Sequence, residues 1–226
     1  MSRRLRFGLT ERVLHWAFAL TYLALLGSGL PLMFPALRDW IRDYSPAVGL
    51  RLHVACGVLW ILATLAVVVA GNRARLGATL RELTHLARAD RDWLRRFPRW
   101  LVAGPAERAR IDAAVGRFNA GQKLNLIFTL TTSGLLLVSG FALTPVGDGL
   151  MATHLTGAAS VGLWQQAHRG LTWLVLLPLA GHVYLAALHP PTRPALGGML
   201  DGHVDGRWAA EHHPRWRPEA GDCEAA

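Results

Sequence analysis

Four long apolar runs, at about residues 13–34, 50–70, 124–143 and 165–189, alternate with polar stretches along this chain. Each is long enough for an α-helix to cross the hydrocarbon core of a bilayer, which takes about 20 residues. No aspartate or glutamate interrupts any of them. Punctuation residues stand where such helices should stop: Pro31 and Pro35 at the first exit, Thr144-Pro145-Val146-Gly147 after the third run, Pro190-Pro191 after the fourth. At the first entry, Thr10 is placed to cap the helix and Glu11 to complement its positive end.

Between the runs the pattern changes. Residues 1–12 form a basic leader, and residues 35–50 a short loop with Arg38, Asp39, Arg42, Asp43 and an interfacial Trp40. In the long connection, 71–122, Leu76, Leu80, Leu83, Leu86, Leu94 and Phe97 recur at roughly helical spacing among arginines. That is the pattern of an amphipathic helix lying on headgroups, with Pro98 and Gly104-Pro105 as its breaks. Residues 145–162 form a glycine-rich loop without Lys or Arg, and the polar tail 191–226 is expected to order only against a partner. The fold predicted is an all-α integral membrane protein: a four-transmembrane-helix bundle over 1–190 with an amphipathic cytoplasmic connection, followed by a polar C-terminal tail over 191–226.

Charge adds an orientation. The net charge of the 226 residues is +9 while 52% of them are hydrophobic. The cations, all arginine except Lys123, lie almost entirely outside the apolar runs, as in an integral membrane protein. No basic helix or aromatic-basic ladder stands apart from the spans, which argues against a nucleic-acid partner. The leader carries four Lys/Arg, the 73–123 stretch twelve and the tail four, against three (Arg38, Arg42, Arg51) and none in the other two loops. The positive-inside rule then places both termini and the long connection of this multi-pass chain in the cytoplasm. The first run exceeds a signal-peptide core and contains His15, so it reads as a retained span.

Histidines bring in the chemistry. Imidazoles inside apolar spans are costly to bury and mark functional sites by default. His168 and His182 are fourteen residues apart, close to four helical turns, so both leave one side of the last span, ~21 Å apart along its axis. With the orientation above, His15 and His182 fall at the cytoplasmic level, and His53 and His168 at the outer level. Bis-imidazole ligation of two non-covalent haems uses all four, and six-coordinate iron favours electron transfer over oxygen binding. A single histidine in a span equally serves as a hydrogen-bonded interior residue; four at two matched depths are harder to account for that way. Gly27, Gly29, Gly57, Gly134, Gly140 and Gly181 give flat macrocycles room, though glycines also serve helix packing. His85 is expected on a solvated face, His154 in the outer loop, His189 at the interface, and His203, His212 and His213 on the surface of the tail. Without CxxCH there is no c-type haem attachment, and Cys56 and Cys223 give no disulfide, zinc or iron–sulfur framework.

Immediately before the third run stands Arg117-Phe118-Asn119-Ala120-Gly121-Gln122-Lys123. Its amides, glycine and lone lysine suit a lipophilic quinone that needs hydrogen-bond donors and a cytoplasmic proton source. Alternatively, Asn119 caps the helix and Lys123 snorkels. Composition leaves the two even.

Thr10–Trp16 (TERVLHW), Arg51–His53 (RLH), Phe118–Lys123 (FNAGQK), His168–Gly170 (HRG) and Gly181–Tyr184 (GHVY) resemble the cytochrome b, or gamma, subunit of respiratory formate dehydrogenases. So do GMLDGHV and WAAEHHP in the tail. The ERxxHW start is shared with cytochrome b subunits of nickel–iron hydrogenases and thiosulfate reductases; the NAGQK run and the tail favour formate dehydrogenase. The resemblance implies two b-type haems, held by His53 with His168 (outer) and His15 with His182 (inner). It also implies a menaquinone or ubiquinone pocket near His182, Asn119 and Gly121, with Gln122 and Lys123 beside it. It implies further an iron–sulfur (beta) subunit on the outer loops and a molybdenum- or tungsten-dependent catalytic (alpha) subunit that oxidises formate, in a complex open to higher oligomerisation. Such a chain is the quinone-reducing subunit of an oxidoreductase and holds no formate-oxidising site. A metal transporter using the histidines as a relay, or a haem-free anchor, remains the reading from other classes.

Overall fold

The computed structural model describes residues 3–41, 43–147, 159–217 and 223–224, and its chain divides into two compact units, residues 7–78 and residues 1–6 with 79–226. Among the described residues four helices are long and apolar enough to cross a membrane: Leu9–Met33, Pro46–Ala70, Ala120–Ala142 and Val161–Leu188. All four apolar runs are therefore helices, and each begins earlier than hydropathy alone places it.

In the 7–78 unit, α1 (Leu9–Met33) and α3 (Pro46–Ala70) form an antiparallel hairpin joined through the short α2 (Pro35–Trp40). Successive contacts run in opposite directions along the two helices: Ser28 meets His53, the ring of Phe18 lies 5.3 Å from that of Trp60, and Thr10 meets Asn72. Pro35 and Pro46 start α2 and α3, where a missing N–H costs nothing. The 35–50 stretch is thus a helical turn and an extended helix start rather than a loop. Thr10 does not cap α1. The cap is Gly8, whose N–H donates to Glu11 Oε2 at 2.7 Å, while Arg75 Nε donates to the same oxygen at 2.9 Å. Thr10 Oγ1 instead accepts from the backbone N–H of Asn72. Large apolar side chains such as Leu20, Leu62 and Val69 are exposed while Glu11 and Ser28 are buried. That inversion fits a hairpin solvated by lipid, where apolar side chains face outward.

The other unit contains α5 (Arg88–Val102), α6 (Pro105–Asp112), α7 (Ala120–Ala142) and α8 (Ala159–Val183), the last continuing through a π-helical turn, Tyr184–Leu188. The helix α4 (Arg73–Thr84) crosses the boundary between the units. The 71–122 connection is therefore three helices. Gly104 separates α5 from α6 as expected, but Pro98 lies inside α5 and does not break it. An interior proline costs ~3 kcal/mol. Here both sides of it are anchored: Trp93 and Trp100 donate their indole N–H groups to the two oxygens of Asp112, at 2.8 and 2.9 Å, and Phe97 stacks on both rings. Trp93, Trp100, Ile111, Val115 and Ala120 make the core beneath them. Burial pushes the Asp112 carboxyl above its ordinary range, against the two indole bonds.

The tail is folded by its own chain, contrary to the expectation that it needs a partner. A 3₁₀ turn (Arg193–Leu196) leads to α9 (Gly197–Leu200), β2 (His203–Asp205) and α10 (Gly206–His212). The leader supplies β1 (Arg3–Leu5), which pairs antiparallel with β2, Arg4 opposite Val204, and on its other edge with β3 (Cys223–Glu224). Gly202, at φ 97°, turns the chain into β2 and its carbonyl accepts the Arg6 N–H at 2.7 Å. Asp205 caps α10, and Val204, Trp208, Ala209 and Trp216 close a small core. A three-stranded patch is thus added to an otherwise all-α membrane fold.

Candidate functional site

The four histidines stand near the ends of their spans. His15 is the seventh residue of Leu9–Met33, and His182 the seventh from the end of Val161–Leu188. His53 is the eighth residue of Pro46–Ala70, and His168 the tenth of the described helix Ala159–Val183. At 1.5 Å per residue every one of them lies ~9–14 Å inside the end of its described helix.

Two of these rings are held by a serine on the neighbouring helix, which the sequence reading did not single out. Ser28 Oγ donates to Ala24 O at 2.8 Å and lies 3.1 Å from His53 Nδ1. Ser139 Oγ donates to Leu135 O at 2.8 Å and lies 2.9 Å from His168 Nδ1. The next residue in each helix is a glycine against the same ring. A Cβ on Gly29 would approach His53 Cε1 to 2.9 Å, and one on Gly140 would approach His168 Cε1 to 3.2 Å. These glycines seat the imidazoles rather than merely leaving space. A Cβ at Gly27, Gly134 or Gly181 would meet nothing within 4 Å. Imidazole donors near helix ends, together with helix glycines whose Cβ positions are open, fit the demands of a flat, bis-histidine-ligated macrocycle.

The Asn119–Lys123 run is the first turn of α7 rather than the segment before it. Asn119 is the N-cap: its Oδ1 accepts the Gln122 N–H at 2.9 Å, and Gln122 Oε1 accepts the Asn119 N–H at 3.0 Å, a complete capping box. Capping is therefore a role that Asn119 has. Lys123 does not snorkel; its Nζ donates to Asp90 Oδ2 at 2.9 Å and to His85 O at 3.0 Å. Gly121 packs closely, since a Cβ there would lie 3.3 Å from Asn119 Oδ1 and 3.5 Å from the Trp93 ring. Behind this turn Arg6 is buried, with Arg117 O accepting from its Nη2 at 2.8 Å and the Phe118 and Trp208 rings beside it. Burial, aided by the Arg117 charge, lowers its pKa to about 9.

The remaining histidines divide. His85 is exposed, as expected. His154 and Arg42 lie outside the described residues. His189 is buried between Tyr184 and Trp100, with Nδ1 3.2 Å from Thr192 Oγ1, and burial followed by the Arg108 charge lowers its pKa. His213 is not at the surface. It is 3% exposed, its Nδ1 donates to Gly116 O at 2.7 Å, and Trp208 and Trp216 flank it. Its tryptophan neighbours were visible in the sequence, but the fold that gathers them around it was not. His212 stacks on Trp208, and His203 lies partly buried in β2.

Comparison with known proteins places the chain in a family. The profile of the prokaryotic cytochrome b561 family matches residues 6–202. The cytochrome b556(Fdn) subunit of the nitrate-inducible formate dehydrogenase of Escherichia coli K12 is 24% identical over 224 residues, covering 95% of this chain and 90% of that protein. The cytochrome b556(fdo) subunit of formate dehydrogenase of the same organism is 24% identical, covering 97% and 95%. The formate dehydrogenase cytochrome b556 subunit of Haemophilus influenzae is 23% identical, covering 96% and 84%. With its four spanning helices and a family match over nearly its whole length, the chain is a multi-pass membrane cytochrome b and belongs to the prokaryotic cytochrome b561 family.

Proposed function

We propose that this chain is the membrane-anchor and electron-transfer subunit of a formate dehydrogenase complex. It accepts electrons from an iron–sulfur subunit docked on the outer face and delivers them to quinone near the cytoplasmic face. The observation that supports this reading is that His15, His53, His168 and His182 each stand near an end of a spanning helix, two of them braced by a serine of the neighbouring helix. The names of its relatives supply the formate dehydrogenase assignment. His53 and His168 would hold an outer haem b, and His15 and His182 an inner one. Ligated by two imidazoles, each would supply a one-electron iron couple suited to electron transfer rather than oxygen binding.

The remaining roles fall to the first turn of α7 and to the charge distribution. Asn119, Gly121, Gln122 and Lys123, with His182, orient quinone; the Lys123–Asp90 pair brings a protonatable group to that turn. Both termini lie in the cytoplasm of a bacterium with the chain in its inner membrane, so protons for quinone are taken from inside. Formate oxidation belongs to a molybdenum- or tungsten-dependent partner.

The test is a reduced-minus-oxidised spectrum with haem quantitation on the purified complex, together with identification of the co-purifying catalytic subunit. Two b-type haems per chain and a formate-oxidising partner are expected. One haem breaks the matched-level pairing, and none returns the chain to an anchor or transporter. A nickel–iron partner overturns the formate assignment in favour of a hydrogenase-type complex.

A further inference from the structure

The two helix hairpins repeat one local device at one address. Ser28-Gly29 and Ser139-Gly140 occupy the twentieth and twenty-first positions of Leu9–Met33 and Ala120–Ala142. Each faces a histidine in the opening turns of the following span, His53 or His168. Serine hydroxyls in helices commonly bond back to the i−4 carbonyl, as Thr21 and Thr132 also do here. What distinguishes Ser28 and Ser139 is the imidazole nitrogen on the other side of the hydroxyl.

The proton count then decides the tautomer. A hydroxyl has one hydrogen, and in both cases a backbone carbonyl at 2.8 Å takes it. Toward the histidine the oxygen is therefore an acceptor, and the ring must carry its proton on Nδ1. An imidazole protonated at Nδ1 presents its lone pair at Nε2. The glycine that follows lets the ring come close enough for this bond, as the 2.9 and 3.2 Å approaches of a built Cβ show.

We propose that Ser28 and Ser139 are a matched pair of positioning residues for one haem. Each accepts the Nδ1–H of an axial histidine, fixes its Nε2-ligating tautomer and ring plane, and makes it a more basic ligand. The inference rests on His53 and His168 being ligands of the same haem. A more basic imidazole favours ferric iron, so the two serines hold the outer haem at a lower potential than it would otherwise have.

The experiment uses the membrane-bound complex with Ser28→Ala, Ser139→Ala and the double variant. The readouts are a redox titration of each haem in the α-band and the low-spin EPR spectrum of the oxidised form. Each single variant should raise the midpoint potential of one haem, move its largest g-value, and leave the second haem unchanged. The double variant should shift the same haem further, and retention of that haem should fall by about tenfold. Ser28→Thr keeps the acceptor and should keep the wild-type signature. Thr132→Val, which removes a hydroxyl bonded along its own helix, should move neither haem. Wild-type potential and g-values in Ser28→Ala and Ser139→Ala, with both haems in place, overturn the proposal. His168→Ala separates the two levels of failure: if it retains both haems, the ligand assignment itself is wrong.

Discussion

Lys123 Nζ and Asp90 Oδ2 stand 2.9 Å apart, with side chains only 12% and 11% exposed, and so tie the first turn of α7 to the start of α5. Asp90 Oδ2 also accepts the Ala87 N–H at 2.7 Å, so one carboxylate caps α5 and neutralises the chain's sole lysine. Removing one member of such a pair leaves the other charge poorly solvated, at a cost of about 3–5 kcal/mol for fully buried pairs. Lys123→Met should therefore lower the thermal midpoint of the complex clearly. Adding Asp90→Asn to it should recover part of the loss, with a coupling of about 1–3 kcal/mol in a double-mutant cycle. Additive losses would mean that the two groups act independently.

Asn119 offers a way to separate a cap from a ligand contact. Serine caps a helix about as well as asparagine, whereas alanine costs about 1 kcal/mol. Asn119→Ser should thus keep the thermal stability of the wild type, and Asn119→Ala should lose some of it. If the Asn119 amide also orients quinone, both variants should raise the KM for quinone, with formate-to-dye activity of the complex unchanged. A normal KM in Asn119→Ser would leave the residue with its capping role alone.

The spans were legible because lipid imposes a coarse rule, a continuous apolar run of sufficient length, and each of the four runs obeys it. The helix starts were less so, since Pro46 and Asn119 act through backbone φ and capping rather than through hydropathy. That the histidines stand near their helix ends could be read by counting turns. Ser28 and Ser139 could not, because a serine in a span usually bonds only to its own helix, and nothing local announces the imidazole opposite. Order in the tail was hidden for a similar reason: β2 depends on Arg3–Leu5, about two hundred residues earlier in the chain. Pro98 looked like a breaker because the indole bonds to Asp112 that hold α5 together are tertiary.

The buried His213 makes the tail sensitive to acid. Burial, with the Arg6 charge next, holds its folded pKa well below the usual 6.5, while the Gly116 carbonyl bond only partly opposes this. The folded pKa is the depressed one, so the stabilisation is complete above pH 6.5. Below that the unfolded chain takes up a proton that the folded chain refuses, and stability falls as pH drops toward the folded value. The limiting slope is about 1.4 kcal/mol per pH unit for one proton. Unfolding of this region, followed by the fluorescence of Trp208 and Trp216, should shift to lower denaturant between pH 6.5 and pH 5. His213→Phe should be less stable at neutral pH through loss of the Gly116 bond, yet should flatten that slope. An unchanged slope would assign the acid sensitivity to another group.

The level assignment of the four histidines makes the sharpest demand. His15→Ala and His182→Ala should each reduce the haem content from two to one per chain, the inner haem being lost. Quinone reduction should fall by at least about a hundredfold, the upper range for loss of a group at a metal site. The outer haem, which in the proposed pairing belongs to His53 and His168, should remain reducible by formate through the partner subunits. His53→Ala and His168→Ala should do the reverse, leaving an inner haem that formate no longer reduces. The difference is read by adding formate to each variant and recording the α-band before and after dithionite. If His15→Ala removed the haem that formate reduces first, His15 would belong to the outer pair. The counting of ranks from the helix ends would then fail as a guide to depth.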